Sequence, residues 1–148
     1  MNDPRVDFAI AALTAWREDR GAGAEGMTAV LCVIRNRVKK HKTSYYAECI
    51  KPLAFSSLTA HGDQELGLWP NDTDPSWQMA QMLADGVING TLADITGGST
   101  LYYAPKSIPP NATIALPDGS VINWPASWDR NAVKFFGSIG DQVYFLDK

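Results

Sequence analysis

Residues 13–38 read Leu-Thr-Ala-Trp-Arg-Glu-Asp-Arg-Gly-Ala-Gly-Ala-Glu-Gly-Met-Thr-Ala-Val-Leu-Cys-Val-Ile-Arg-Asn-Arg-Val. Two helical patterns meet here across a glycine-rich break. Upstream, Asp3-Pro4 supplies a cap followed by proline, which opens a helix. Phe8, Ala11, Ala12 and Ala15 then recur at helical spacing and make one apolar face that continues to about Asp19. Glu18 falls three residues after Ala15 on that face, and Gly21-Ala22-Gly23-Ala24 ends it. Downstream, Ala29, Val30, Val33, Ile34, Arg37 and Val38 predict a second helix from about Glu25 to Lys40. Ala29, Cys32, Val33 and Asn36 share one of its sides, where Asn36 either points to a cleft or caps a neighbouring loop. The basic run Arg35 to Lys42 suits the negative end of the helix dipole and reads as a solvated helix end.

Further on, residues 43–73 read as irregular structure with a short hairpin. Leu53 to Leu58 is apolar and hydroxyl-rich, and His61-Gly62-Asp63 is a turn signal. Asp74-Pro75 repeats the helix start and predicts a third helix to about Asn89, with Gly90 as its cap. Trp77, Ala80, Leu83, Ala84, Val87 and Ile88 make its inward face. Thr100-Leu101-Tyr102-Tyr103 is a short strand ended by Pro105. Thr113 to Leu116 and Ser120 to Ile122 flank Pro117-Asp118-Gly119 as a hairpin. The tail, from Phe135 to Phe145, is strand-like with breaks at Gly137 and Gly140. No internal repeat or linker divides the chain. The expectation is a single domain over 1–148, α+β and mostly helical.

The chain has 148 residues, 45% of them hydrophobic and 20% charged. A chain of this length buries roughly 70% of its unfolded surface, enough for a core without disulfide or metal. Net charge is −3, which argues against nucleic acid as a partner. No apolar run reaches the roughly 18 residues of a membrane span. The polar start, Met1-Asn2-Asp3-Pro4, leads to the expectation of cytoplasmic synthesis without a signal peptide. Cys32 reads as a core thiol, and a Cys32–Cys49 bridge is left open. Neither His41 nor His61 completes a zinc site, and no phosphate loop or dinucleotide fingerprint occurs, so no metal or cofactor is expected.

A carboxylate ending an apolar face, with glycines after it, is a candidate general acid. Burial keeps its proton available near neutral pH, and the glycines leave room for a ligand. On spacing alone, an ordinary helix-end Glu18 paired with Arg17 or Arg20 is the better reading. Asp63 and Glu65 are the nearest candidates for a second catalytic carboxylate, and a solvated turn is preferred for them. Ser56, Ser57 and His61 lack the Gly-x-Ser-x-Gly context of a serine hydrolase. Tyr102, Tyr103 and Trp124 offer flat faces for sugar rings, with the two adjacent tyrosines divided between core and cleft.

The stretch 13–38 resembles the spore-cortex-lytic type of bacterial cell wall hydrolase. That family shows an aromatic residue, Glu-Ala-Arg-Gly, a Glu-Gly helix start and Asn-Arg-Val. Its catalytic acid falls here on Glu18, with Asp19 replacing the alanine. Ala54-Phe55-Ser56 is similar to Gln-Phe-Ser, and Tyr102-Tyr103-Ala104-Pro105 to Phe-Tyr-Asn-Pro. Ile139-Gly140-Asp141-Gln142-Val143-Tyr144-Phe145 resembles Ile-Gly-x-His-x-Phe-Tyr, with Gln142 for histidine. Residues 106–123 read as an insertion.

The resemblance implies a lysozyme-like fold whose small β-hairpin region flanks the active-site cleft. It implies cleavage of peptidoglycan glycan strands, with Glu18 catalytic and Phe55, Ser56, Tyr102, Tyr103, Asn36 and Trp124 as substrate-binding candidates. A lytic transglycosylase acting as a monomeric phage-type endolysin is expected, reaching the periplasmic wall after a holin-like partner permeabilises the membrane. The alternatives are a hydrolytic muramidase or glucosaminidase, and a non-catalytic wall-binding or tail-associated module.

Overall fold

The computed structural model describes residues 3–52 and 54–148; Met1, Asn2 and Leu53 of the stretches read above lie outside the described residues. Asp3 accepts from the Arg5 amide at 2.9 Å and Pro4 takes the first helical position, so α1 runs Pro4–Asp19. The glycine-rich break is shorter than predicted. Only Arg20–Ala22 leaves α-geometry, as one 3₁₀ turn, and α2 begins at Gly23 and runs to His41.

Every residue from Gly26 to Arg35 is buried. A helix covered on all sides is the centre of its unit, which a one-face pattern does not convey. Its neighbours are α1, α3 (Tyr45–Ile50) and α5 (Pro75–Ile88). Small side chains permit this packing: Ala11, Ala12 and Ala15 on α1 and Ala80 and Ala84 on α5 are fully buried. The predicted inward face of α5 holds for Ala80, Ala84 and Val87, whereas Ile88 is exposed. Arg35 also departs from expectation. It is buried, not solvated, and donates to the carbonyls of Val87 at 3.2 Å and Leu92 at 3.0 Å. Lys39, Lys40, His41 and Lys42 remain exposed.

The hairpin expected within 43–73 does not form among the described residues. Short helical turns with side-chain caps take its place. The Ser44 hydroxyl accepts from the Ala47 amide at 3.0 Å to start α3. α4 follows at Ser56–Thr59. Asp63 accepts from the Glu65 amide at 2.8 Å and caps a 3₁₀ turn over Gln64–Gly67. A local cap gives the backbone an alternative to a strand ladder, and that preference prevails here.

The described residues form two compact units, one up to Ile95 and one over Thr96–Lys148. The first holds all five α-helices. The second holds a three-stranded antiparallel sheet in the order β1-β5-β4, formed by Leu101–Tyr103, Gln142–Asp147 and Val133–Ile139. The expected hairpin pairs β2 (Thr113–Ala115) with β3 (Val121–Asn123). β4 starts earlier than predicted. Its register slips between Phe135 and Gly137, leaving Phe136 as the extra residue of a bulge. That bulge puts the Phe136 ring against Gly97, where φ is +59° and any Cβ would collide with it. The fold class expected from the sequence, α+β and mostly helical, is borne out.

Cys32 and Cys49 are both buried and unbridged. Burial pushes both thiols up, Cys49 to about 12. Thiol titration should therefore find two groups in denatured, unreduced protein and very slow reaction in the native state.

Glu48 joins α3 to the end of α2. Its buried carboxylate accepts from the Thr43 hydroxyl, from Lys51 at 3.0 Å, and is met by the His41 ring at 3.1 Å. Burial pushes this carboxyl up, but the hydrogen bonds from Thr43, Lys51 and His41 outweigh burial and hold it below the ordinary 4.5. A depressed carboxyl stabilises the fold above its unfolded value and loses that contribution as pH falls through the folded value. Thermal melts of Glu48→Gln against the parent should differ most near pH 7, and the gap should close in acid below the ordinary value.

Candidate active site

Glu18 lies in the last turn of α1 and is half-buried. The residues around it are tied to two other stretches of the unit, the start of α5 and the 57–68 segment. The Trp16 indole donates to the Ser76 hydroxyl at 2.9 Å and meets the Trp77 ring edge-on at 6.4 Å, at the start of α5. Arg17, only 7% exposed, donates to the carbonyls of Ser57 at 3.0 Å, Leu66 at 3.3 Å and Leu68 at 3.0 Å. Arg20 pairs with Glu65 through both carboxylate oxygens and stacks over Trp16 at 4.1 Å. The two arginines read as ordinary partners of Glu18 are thus held by other groups.

Burial pushes the Arg17 guanidinium down, opposed by the charges of Glu65 and Asp63. Glu65 is therefore no solvated turn residue. It is the anion for Arg20, while Asp63 serves as a backbone cap. Asp19, which replaces the alanine of the resembled motif, packs its carboxylate against Gly26. A Cβ at Gly26 would collide with Asp19 Oδ2 and with Ala22. At Gly21 and Gly23 an added Cβ would meet nothing within 4 Å, so the turn after Glu18 borders open space.

The other candidates fall in both units. In the helical unit, Asn36 donates to Asp94 at 3.0 Å, the loop-holding alternative of its two readings. Ser56 is exposed at the start of α4. Phe55 is 1% exposed, with the Arg37 guanidinium 5.3 Å from its ring centre. The Phe55 ring is thus covered in this structure, packed within the helical unit.

In the sheet unit, Tyr102 stacks on Tyr144 at 5.5 Å. Tyr103 lies among Trp124, Trp128 and Phe145 at 5.0–6.1 Å. Its hydroxyl donates to the Asn123 carbonyl at 2.7 Å, and burial pushes it up to about 12. Trp124 is 6% exposed and donates to the Trp128 carbonyl at 3.0 Å. Trp124 belongs to one buried apolar core with Leu116, Val143 and Phe145, and Tyr103 is half-buried against it. Trp124 thus packs inside the core of the sheet unit, while Tyr103 keeps part of its surface open beside it. Sequence reading missed the roles of Arg17 and Arg20. Their charge is legible, but acceptors 40 to 51 residues away are not.

A family model described as Cell Wall Hydrolase matches residues 21–145, beginning just after Glu18 and running through both units. Among solved structures, the chain is similar to the catalytic domain of the germination-specific lytic transglycosylase SleB from Bacillus anthracis. Identity is 22%, the TM-score is 0.65, and the match covers 95% of this chain and 93% of that one. It is also similar to the catalytic domain of the Bacillus cereus SleB protein, at 24% identity and TM-score 0.63, covering 95% and 89%. No curated protein matches in sequence.

The packing of Tyr103 against the core of the sheet unit sets a test. Tyr103→Ala should lower stability by about 3–5 kcal/mol, as measured by chemical denaturation. Folded variant should keep near-normal turnover; a stable but inactive variant would place Tyr103 in the substrate site.

Proposed function

We propose a mechanism from one premise: the chain belongs to the cell wall hydrolase family. The resemblance and the enzyme class read from the sequence are borne out by that membership. Within it, the chain acts as a lytic transglycosylase with Glu18 as its single catalytic carboxylate. Glu18 protonates the glycosidic oxygen. As the bond breaks, Glu18 takes the proton of the muramic acid 6-hydroxyl, which closes a 1,6-anhydro ring. No external water enters the product.

The observation that supports this over hydrolysis is the state of the two nearest candidate carboxylates. A hydrolytic route needs a second group to activate water or to attack carbon. Glu65 is neutralised by Arg20, and Asp63 is held by the backbone of its own turn. Each already has a structural task, which favours the route that needs no second carboxylate. Of the SleB catalytic domains of similar fold, the one from Bacillus anthracis is a germination-specific lytic transglycosylase, which agrees with this reading.

The finer biological role is part of the same proposal. A phage-type endolysin, monomeric and dependent on a membrane permeabiliser, is supported by the sequence resemblance alone. The single catalytic domain over 1–148 is supported by the reach of the family match across both units. Among the described residues no helix is long and apolar enough to cross a membrane.

Glu18→Gln keeps size and hydrogen bonding but has no proton to give. It should fold normally and lose about 10²–10⁴-fold in release of fragments from purified sacculi. Glu25→Gln, at the start of α2, should retain activity. Mass spectrometry of wild-type products should show anhydro ends; products heavier by one water would establish hydrolysis. Near-normal turnover by folded Glu18→Gln would remove Glu18 from the reaction.

A further inference from the structure

Trp69 is the most exposed large apolar side chain among the described residues, with 72% of its surface open. A single exposed apolar side chain is ordinary on a protein surface, so exposure alone assigns this indole no task. This one is also held in place. The Arg17 guanidinium lies 4.6 Å from its ring centre, and Arg17 is itself fixed by three backbone carbonyls. A cation held over a ring orients it and limits its rotamers. The result is a flat, wet, preorganised surface, with its ordering cost met before any ligand arrives.

Its surroundings identify the class of ligand. Trp69 borders a groove of about 610 Å³ along α1, whose wall includes Val6, Ile10, Leu13 and Tyr46. Those α1 positions recur every three or four residues, and the next step along the same stripe is Arg17. Glu18 follows Arg17 by one residue, a rotation of about 100° around the helix. The indole thus packs on the immediate chain neighbour of the proposed acid, within the same compact unit. A pyranose ring presents C–H groups on one face and hydroxyls at its edge. N-acetylated sugars add a methyl group that suits an apolar wall. Both match a rigid indole beside an aliphatic groove.

We propose that Trp69 is a glycan-binding platform, stacking on an N-acetylated sugar of the strand away from the bond being cut. The inference rests on the reading of peptidoglycan as substrate. It does not depend on Glu18 being the acid. Arg17 acts here as a positioning residue: it holds the ring and leaves the sugar to the indole.

The test measures binding apart from turnover. Glu18→Gln and Glu18→Gln/Trp69→Ala proteins are co-sedimented with purified sacculi and with glycan strands stripped of peptide by an amidase. Loss of Trp69 should weaken binding to both about tenfold, as for a central aromatic anchor. Trp69→Phe keeps a flat face and should restore most of the affinity. Melting temperatures of both variants should stay near the parent value. In the parent, the Trp69 indole N–H resonance should shift on titration with N-acetylglucosamine tetramer. Equal sedimentation of the alanine variant, with no shift of that resonance, would overturn the proposal. Loss confined to peptide-bearing sacculi would also overturn it, assigning the indole to the peptide. Retained lysis by Glu18→Gln would instead strike the catalytic assignment and leave the Trp69 result standing.

Discussion

The buried guanidinium of Arg17 is the constraint on which the site end of the helical unit depends. A cation 7% exposed must find acceptors, since an unpaired buried charge costs several kcal/mol. It finds three, all backbone carbonyls of the 57–68 segment. A segment of short turns has few ladder bonds of its own, so these carbonyls need a donor as much as Arg17 needs acceptors. Hydrogen bonds to a charged group contribute about 1.5–3 kcal/mol each. The last turn of α1 and a loop some fifty residues away are thereby made one rigid body.

Arg20 repeats the device one turn on, through Glu65 and across the face of Trp16. Trp16 in turn holds Ser76, whose hydroxyl donates to the α5 cap Asp74 at 2.7 Å. Three side chains within five residues thus bind two segments, the 57–68 stretch and the start of α5. Glu18 sits among them, in a helix turn whose backbone they hold. Precision at a reacting group comes from neighbours whose own rotamers are locked. That is why the charge-rich run around Glu18 reads as an unremarkable helix end in one dimension and as an anchored turn in three.

The helices were legible where a cap and a period agreed. Asp3-Pro4 and Asp74-Pro75 mark their starts because a carboxylate and a fixed φ act locally. The segment 43–73 was not legible. Its turns are each four to six residues long, too short to show a period. The β2–β3 hairpin was readable from its turn chemistry, whereas the bulge at Phe136 was not, because register is a property of two strands. The burial of the aromatic candidates was hidden for a related reason. An aromatic in an extended segment has two faces available, and only the partner strand decides which is covered. β5 opposes Tyr103 with Val143 and packs Phe145 against its ring, which draws Trp124 into the core and Tyr103 against it.

Trp69 shows the converse. It lies between Leu68 and Pro70 in a stretch without period, so nothing local singles it out. Its meaning comes from Arg17, and Arg17 was read only as a possible partner for Glu18. The same residue therefore links the reading that the sequence supported to the one it concealed. A guanidinium has two flat faces and five donors at its edge. Edge bonds to carbonyls leave a face free to stack, so fixing the loop and presenting the indole are compatible tasks for one side chain. A lysine at position 17 would offer a point charge without that face, and could hold the loop only at the expense of the ring. The choice of arginine beside the proposed acid thus follows from geometry: one planar cation orders the backbone on its rim and an aromatic platform on its face.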